Sequence, residues 1–502
     1  MLIVKKIFLL LFVLTFSINA QIKVNENQLK SFLDEKEKIY EDICIQMGIA
    51  NWNVYTQENE ADQNTPKARF SVLFSNDSLN QIINGWHSKI ENISNDTLKR
   101  RVEVWHRVLT GAKVDMDPEV FELENQLEEW LSGSIPKEEI PSTQELSNMI
   151  LHLMKLRNEK AIKLGYENYA VMMLDLSEIG YNWFMDFVDE ILKRTKPHYD
   201  KIINDLKKEL KKDTITIFDL RGIIQEYYMA TGDAITLNEN QTMIGMMSSI
   251  LSDIGINYEE LPARFVEKEV PYGGNGLAIN VPNDFRAVVN VGMPLSVWMH
   301  ELGHGLQAMF TTINYPILEG YEWCLGEGCP GYSEGMAETS ARFTRNTEVI
   351  KKYSQYEVNN QNSVINKYSA MFLRFSLISV LFEIEFYKDL NQDPAVLTNN
   401  LYKDILYFDN PIGSSLNLSE NIIYVSYPVY LQNYMLADII SWQVHSKLEE
   451  VFGKEYGFNK DVSNYLIKYF YSSGEYFPWQ ERLLNGTGKE LDVDGYLKSF
   501  GY

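Results

Sequence analysis

Two histidines four residues apart, with a glutamate beside the first, are the residues of this chain best suited to chemistry. They lie in the pentapeptide His300-Glu301-Leu302-Gly303-His304. Residues four apart on a helix share one face, so both imidazoles can bind one metal ion. Zinc in a hydrolytic site takes three protein ligands and leaves a fourth position for water. The spacing therefore predicts a single Zn²⁺ at this pair, with Glu301 beside it. A buried helix with two hydrogen-bonded histidines is the alternative.

A carboxylate is the best candidate for the third ligand, because no histidine follows shortly after the pentapeptide. A second acidic segment, 333–338, reads Ser-Glu-Gly-Met-Ala-Glu and follows a Pro-Gly-Tyr run. A proline is typical of the first helical turn, so Glu334 falls in that turn and Glu338 one turn later. Glu334 can then bind the metal while Glu338 accepts a hydrogen bond from the free N–H of a ligand histidine. Taken alone, the segment fits an ordinary acidic helix start better.

Apolar residues recur at helical spacing along most of the chain. One long amphipathic helix is predicted over 27–47. Another begins where Ser142 and Glu145 match a capping box, and it stops at Gly165. The metal helix should begin near Pro294, in its first turn. Similar periodicity covers roughly 182–212, 241–253, 346–390 and 430–452. The chain is thus predicted to be mainly α.

The stretch 276–291 is the clearest exception to helical spacing. Two runs of β-forming residues flank Pro282-Asn283-Asp284-Phe285, which predicts a β-hairpin or small sheet just before the metal helix. The preceding run 273–276, Gly-Gly-Asn-Gly, lacks the Lys-Ser/Thr of a phosphate-binding loop and is predicted to be a turn. A strand edge at this place would suit a peptide substrate, which can pair with it through its main chain. Ala278 and Asn280 are therefore candidates for substrate contact.

The composition favours one large acidic domain. Lys+Arg 46 against Asp+Glu 69 gives a formal net charge of −23, so nucleic acids and acidic membrane surfaces are not expected as partners. Hydrophobic residues make up 45% of the chain, which is enough for a large core. Linkers rich in glycine or proline and internal repeats are missing from the sequence, so 21–502 is predicted to be a single domain.

The first twenty residues resemble a secretory signal peptide. Lys5 and Lys6 precede an apolar run from Ile7 to Phe16, and small residues follow at Asn19-Ala20. A membrane anchor is the alternative, but the run is too short to span ~30 Å as a helix. The sequence therefore predicts a signal peptide at 1–20, no stable membrane insertion after its removal, and export to the periplasm, the cell surface or the medium.

Three cysteines are too few for a disulfide scaffold. Cys324 and Cys329 are separated by four residues, in the segment between the pentapeptide and Glu334. They can form a short disulfide that stiffens this segment, or remain two free thiols.

These motifs together resemble the peptidyl-dipeptidase A family of angiotensin-converting enzyme, among the gluzincin metallopeptidases. That family has a pentapeptide like 300–304, then a Pro-Gly-aromatic turn like 330–332, then a ligand glutamate with an acidic residue four further on. The joining loop is longer here. The resemblance implies a two-lobed helical fold with a deep central channel. It also implies one Zn²⁺ held by His300, His304 and Glu334, with Glu338 orienting a ligand histidine and Glu301 as general base.

The family also uses a tyrosine of a late helix to hydrogen-bond the tetrahedral intermediate. The segment Tyr430-Leu431-Gln432-Asn433-Tyr434 resembles that part of the family, with Tyr434 at the matching position. Tyr424 and Tyr430 are weaker candidates for substrate contact. The family's lysine and histidine upstream of this tyrosine fall near Ile422 and Tyr424, and its chloride-binding arginine is Asn433. These departures put the release of C-terminal dipeptides in doubt, and chloride activation is not expected.

The sequence therefore predicts an exported zinc metallopeptidase that hydrolyses short peptides, with peptidyl-dipeptidase action as one form. An endo-acting oligopeptidase of the neighbouring thimet type is the nearer alternative. A catalytically inactive peptide-binding relative is the more distant one, although neither a ligand nor the general base is missing.

Overall fold

Long helices form most of the structure. The computed structural model describes residues 25–501, apart from 59–61, 132–139, 232–233, 271, 355–360, 409–417 and 419–421. The predicted signal peptide at 1–20 lies outside the described residues. The α-helices in chain order are α1 Glu26–Thr56, α2 Asn64–Phe74, α3 Asp77–His87, α4 Asp96–Asp115, α5 Pro118–Leu131, α6 Thr143–Lys163, α7 Tyr169–Leu176, α8 Tyr181–Leu210, α9 Arg221–Thr231, α10 Met243–Ile254, α11 Leu295–Phe310, α12 Pro330–Arg342, α13 Thr347–Tyr353, α14 Gln361–Lys388, α15 Pro394–Leu401, α16 Ile423–Ser426, α17 Gln432–Phe452, α18 Asp461–Leu466, α19 Trp479–Thr487 and α20 Val493–Ser499.

Side-chain caps start several of these helices where the sequence places them. Ser142 accepts from the N–H of Glu145 and the Glu145 carboxylate accepts from the N–H of Ser142, which is the predicted capping box of α6. The helix ends just before Gly165, which has a φ of +97°. The first predicted helix extends further than expected, because α1 continues to Thr56.

The predicted helix over 346–390 is two helices, α13 and α14. Ser354 ends α13 with extended backbone (φ −84°, ψ 145°). Its hydroxyl donates to the carbonyl of Ala234 at 2.7 Å. Apolar periodicity does not reveal such a break, because the pattern continues on its far side.

A three-stranded sheet lies just before α11. It comprises β1 Ala263–Glu267, β2 Gly274–Asn280 and β3 Asp284–Val289, in the order β1-β3-β2. β2 and β3 form the predicted antiparallel hairpin. β1, which the sequence did not predict, pairs with β3 in parallel. The glycine run predicted as a turn is corrected as well, because β2 begins at Gly274, opposite Val289.

Two hydrophobic cores meet at helix α11. Leu302 and Leu306 belong to the larger core, whereas Ala308 belongs to a second core that contains Tyr40 of α1 and Trp105 of α4. The metal helix is thus held from both sides, and the mainly α fold with a small sheet beside this helix is confirmed. Among the described residues, none of the helices has the length and apolar character to cross a membrane.

Candidate active site

Helix α11 carries the two histidines of the pentapeptide. Pro294 precedes its first residue as the N-cap. Trp298, Met299, Leu302 and Leu306 are each at most 4% exposed and anchor the helix in the core. His300 and His304 therefore share the remaining face, with ring centroids 5.1 Å apart and planes at 81°.

Helix α12 approaches α11 closely enough to add a third ligand. A Cβ built on Gly303 would lie 2.5 Å from the Cα of Ala337, so the two backbones meet without a side chain between them. This contact places Glu334 Oε2 3.2 Å from His300 Nε2 and 3.8 Å from His304 Nε2. Two segments far apart in sequence are thereby joined at one point.

The donor set fits a zinc ion. One ligand atom each from His300, His304 and Glu334 lie within 4.8 Å of one another. Glu334 Oε2 is buried and has no hydrogen-bond partner, as expected for an atom that binds a cation. Two imidazoles and one carboxylate are a typical ligand set of hydrolytic zinc, with room for a water.

Each ligand histidine has a partner behind it. His300 Nδ1 lies 3.4 Å from Glu338 Oε1, the carboxylate that the sequence suggested for orienting a ligand histidine. Arg345 lies 3.5 Å from the other oxygen of Glu338. Although burial opposes ionisation of Glu338, His300 and Arg345 lower its pKa to about 2. His304 Nδ1 lies 3.0 Å from Ser333 Oγ, a contact that the sequence did not predict.

The pKa values of the two histidines are shifted in opposite directions. Burial opposes the charged form of His300, but Glu334 and Glu338 outweigh it and raise its pKa well above the usual range. Burial lowers the pKa of His304 to about 4. Burial also opposes ionisation of Glu334, yet the two imidazoles and the Tyr430 hydroxyl lower its pKa. Because a ligand imidazole must be neutral, binding of a metal to His300 would release a proton.

Glu301 lies on the sheet side of α11. It is 6% exposed, and burial raises its pKa to about 7. The backbone N–H of Gly276 and the neighbouring His300 oppose this rise. A Cβ built on Gly274 would lie 2.6 Å from Glu301 Oε1, so the glycine of β2 makes room for this carboxylate. The glycine run that the sequence suggested was a turn is therefore part of the site.

Three tyrosines cluster next to Glu334. The Tyr430 hydroxyl donates to Glu334 Oε1 at 2.7 Å, which ties a predicted substrate residue to a predicted ligand. The rings of Tyr427 and Tyr434 each meet the Tyr430 ring edge-on at 5.6 Å. Tyr434 is 49% exposed, and burial of its phenol raises its pKa above the usual value. Its hydroxyl is therefore a protonated donor at neutral pH.

The other substrate candidates lie on two different elements. Ala278 and Asn280 are on β2, at one end of the strand order, opposite Phe285 and Asp284. Tyr424 is 1% exposed, and its ring packs against Phe382. That packing does not support a contact between the Tyr424 ring and a substrate.

The cysteines between the two motifs are unpaired. Cys324 is partly buried and Cys329 is buried, and both are free thiols in this structure. Burial raises the pKa of the Cys329 thiol above its usual value. Of the two possibilities left open by the sequence, the structure shows the thiols.

No protein-family model and no curated protein matches the sequence. Solved structures do match the fold. A carboxypeptidase from Deinococcus radiodurans has a TM-score of 0.63 and 12% identity, covering 93% of this chain and 99% of that chain. Metallocarboxypeptidase 1 from Trypanosoma cruzi has a TM-score of 0.62 and 12% identity, with the same coverage. A carboxypeptidase from Pyrococcus furiosus has a TM-score of 0.63 and 14% identity, covering 94% of this chain and 98% of that chain. At such identities the likeness concerns the fold, and this chain has the mainly helical fold of these carboxypeptidases over nearly its whole length.

Proposed function

We propose that this chain is a zinc-dependent peptidase that hydrolyses short peptides. The observation that carries the proposal is the convergence of His300, His304 and Glu334 beside the buried carboxylate of Glu301. A buried glutamate next to two partly buried imidazoles is costly without a compensating cation. The likeness in fold to carboxypeptidases supports the same chemistry.

Each residue of the site has a separate role in peptide hydrolysis. Bound zinc would supply a polarised water and a Lewis acid for the scissile carbonyl. Glu301 accepts the proton of the attacking water and then returns it to the leaving amine, for which a pKa near neutrality is suited. Tyr434 donates its hydroxyl hydrogen to the oxyanion that forms. Glu338 holds His300 in the tautomer that leaves Nε2 free for the metal.

We propose cleavage near the C-terminus of the peptide. The resemblance to peptidyl-dipeptidase A supports release of dipeptides, and the fold likeness supports a carboxypeptidase that releases single residues. An endo-acting oligopeptidase would use the same zinc ligands and general base. These residues therefore do not distinguish a peptidyl-dipeptidase, a carboxypeptidase and an oligopeptidase.

Digestion of a decapeptide followed by mass spectrometry separates these modes. Successive losses of one or two C-terminal residues are expected, whereas internal fragments would indicate the oligopeptidase. Glu301→Gln is the negative control, because this variant should still bind zinc but should not hydrolyse the peptide. If Glu301→Gln hydrolyses the peptide as fast as the parent chain, the proposed mechanism is wrong. If the zinc-loaded parent hydrolyses no peptide, the inactive peptide-binding alternative takes its place.

Export is part of the proposal and has its own test. The N-terminal pattern supports removal of residues 1–20. Expression of the full chain in a bacterial host, with N-terminal mass spectrometry of the exported fraction, should give a chain that begins near Gln21. Recovery of the intact chain from the cytoplasm alone would contradict export.

A further inference from the structure

A cavity lies beyond the metal site, between the end of α12 and the helices α14 and α17. Its volume is about 330 Å³, at the lower end of the range for sites that bind small ligands. A second cavity, which is lined by Tyr434, shares three lining residues with it, namely Leu373, Ser376 and Asp438. The two cavities are therefore neighbouring parts of one groove, which leads from Tyr434 to the end of α12.

The face of α12 that carries the metal ligand continues along this groove. Charged residues recur there at a spacing of three or four, in the helix and the turn that follows it: Glu334, Glu338, Arg342 and Arg345. Such a spacing puts them on one face. Helix α17 runs alongside in the same direction, because Tyr430 donates to Glu334 and Arg342 donates to Asp438. The groove thus leads from the ligand carboxylate to the two arginines.

The charges that line the first cavity favour an anion. Among the described residues, the charged ones in its lining are Arg342, Arg345 and Asp438. Asp438 accepts from Arg342 and from the hydroxyl of Tyr496, so Arg345 is the cation in excess. This excess of positive charge contrasts with the net charge of −23 of the whole chain. The anion that a peptide can offer is a carboxylate, either at its C-terminus or on an Asp or Glu side chain.

Arg345 is placed to bind such a carboxylate. Its side chain is 43% exposed, and its guanidinium lies 3.5 Å from Glu338 Oε2. The other oxygen of Glu338 faces His300 Nδ1. A guanidinium has five N–H donors, so it can contact Glu338 and bind a further carboxylate at the same time. Arg345 is thus held at the metal site through Glu338 while it lines the groove.

The spacing along α17 gives the length of peptide that reaches this arginine. Tyr434, the proposed oxyanion donor, and Asp438 are four residues apart, which is roughly 6 Å along a helix axis. Two residues of extended peptide span roughly 7 Å. A carboxylate two residues beyond the cleaved bond would therefore reach the part of the groove where the arginines lie.

We infer that Arg345 is a specificity-determining residue, which binds a carboxylate of the substrate two residues beyond the cleaved bond. The inference rests on the proposed peptidase function and assigns a binding site to it. The carboxylate belongs either to the C-terminus of the peptide or to an Asp or Glu side chain at that position. Both present the same planar pair of acceptors to a guanidinium, and a suitable set of peptides separates them.

Three N-terminally blocked peptides that end two residues after the cleaved bond test this inference. Their last residue is glutamine with a free carboxylate, glutamine amide or glutamate amide, and mass spectrometry of the products confirms which bond is cut. The parent chain should cleave at least one of the charged peptides with a kcat/KM roughly 10- to 100-fold above that for glutamine amide, as expected for a hydrogen-bonded ion pair. Preference for the free carboxylate identifies the C-terminus as the ligand, and preference for glutamate amide identifies the side chain.

Variants at position 345 connect this preference to the arginine. Arg345→Gln should bring the charged peptides down to the kcat/KM of glutamine amide, while glutamine amide itself is cleaved as by the parent. Arg345→Lys should keep part of the preference, because it retains the charge without the bidentate geometry. Arg69→Gln is the matched control and should keep the full preference. Arg69 also pairs with a carboxylate, that of Asp42 at 2.7 Å, and is 35% exposed, but it lies on α2, outside the lining of the cavity.

Zinc affinity must be measured beside the kinetics, because Arg345 also contacts Glu338. If Arg345→Gln loses the same factor on all three peptides and binds zinc more weakly, the arginine acts through Glu338 on the metal, and the inference is overturned. A preference that survives in Arg345→Gln would overturn it as well, and so would equal cleavage of the three peptides by the parent, which needs no variant to fold. These outcomes leave the zinc peptidase intact. If the parent cleaves neither these peptides nor a decapeptide, the proposed function fails together with the inference.

Discussion

Gly303 and Ala337 touch through their backbones at the point where the two metal-site helices cross. The 2.5 Å between a Cβ on Gly303 and the Cα of Ala337 leaves no space for a methyl group. The position of Glu334 relative to the histidines depends on this contact, because Glu334 and Ala337 belong to the same turn of α12.

Gly303→Ala should therefore push α12 away from α11. We expect a loss of stability of about 1–3 kcal/mol from overpacking, together with weaker zinc binding. Denaturant unfolding and chelator competition measure the two effects. Gly85→Ala is the control, because nothing lies within 4 Å of its Cβ position in α3. That control should gain about 0.5–1 kcal/mol from helix propensity. Parent-like zinc binding in Gly303→Ala would show that the helix crossing does not set the ligand geometry.

Acid should destabilise the chain through Glu178, which lies between the buried Arg100 and the partly buried Arg107. Arg100 and Arg107 approach its carboxylate at 2.6 and 2.8 Å. Burial opposes its ionisation, but Arg107 and Arg100 lower its pKa to about 2 from the ordinary value of 4.5. A lowered carboxyl pKa gives stability that is present above the unfolded value and is lost as pH falls from about 4.5 towards 2. The contribution is about 3 kcal/mol, at about 1.36 kcal/mol per pKa unit.

Comparison with Glu178→Gln isolates this contribution from the other carboxylates. The difference in unfolding free energy between parent and variant should be largest at neutral pH and should shrink between about pH 4.5 and pH 2.5. Denaturant titrations across this range measure it. A difference that stays constant with pH would mean that the pKa of Glu178 is not lowered in the folded chain.

The part of the site that follows from local structure could be predicted from the sequence. Helical spacing placed His300 and His304 on one face, and the proline correctly marked the start of α12. The prediction that Glu334 lies in the first turn of that helix was wrong by one turn, because Glu334 follows the first turn, which contains no acidic residue. The two correct inferences need only residues that are neighbours along the chain. The mainly α fold follows for the same reason, since apolar periodicity is a local signal.

The remaining contacts depend on segments that are distant along the chain. Tyr430 and Glu334 are 96 residues apart, so their hydrogen bond cannot be inferred from spacing. Ser333 stands next to a ligand, yet nothing in its type indicates that it faces His304. The third strand was missed for a similar reason. β1 is only five residues long, and its strand conformation depends on pairing with β3.

Gly274→Ala should impair hydrolysis without removing the metal. Its added Cβ would lie 2.6 Å from Glu301 Oε1, so the carboxylate must shift. A displacement of about 1 Å of a catalytic group can cost roughly 100-fold in rate. Zinc affinity should stay near that of the parent, because the three ligands are untouched. Gly273→Ala is the control, since its nearest neighbour, Val297 Cγ1, is at an ordinary contact distance of 3.7 Å. Equal activity of the two variants would show that β2 does not position the base.

Substitution of Tyr430 should lower zinc affinity, whereas substitution of Tyr434 should lower kcat. Tyr430→Phe removes the donor 2.7 Å from Glu334 Oε1, so zinc affinity should fall roughly tenfold, as for other partners of metal ligands. Tyr434→Phe removes the oxyanion donor, so kcat should fall by roughly 100-fold or more while zinc affinity is retained. Tyr427→Phe is the control, because its ring meets Tyr430 at the same 5.6 Å as that of Tyr434 and it is equally exposed, at 49%. Chelator competition and steady-state kinetics on one peptide measure all three variants. If Tyr434→Phe loses zinc, or if Tyr427→Phe loses as much kcat as Tyr434→Phe, the cluster acts as packing around Glu334, and the oxyanion donor must be sought elsewhere.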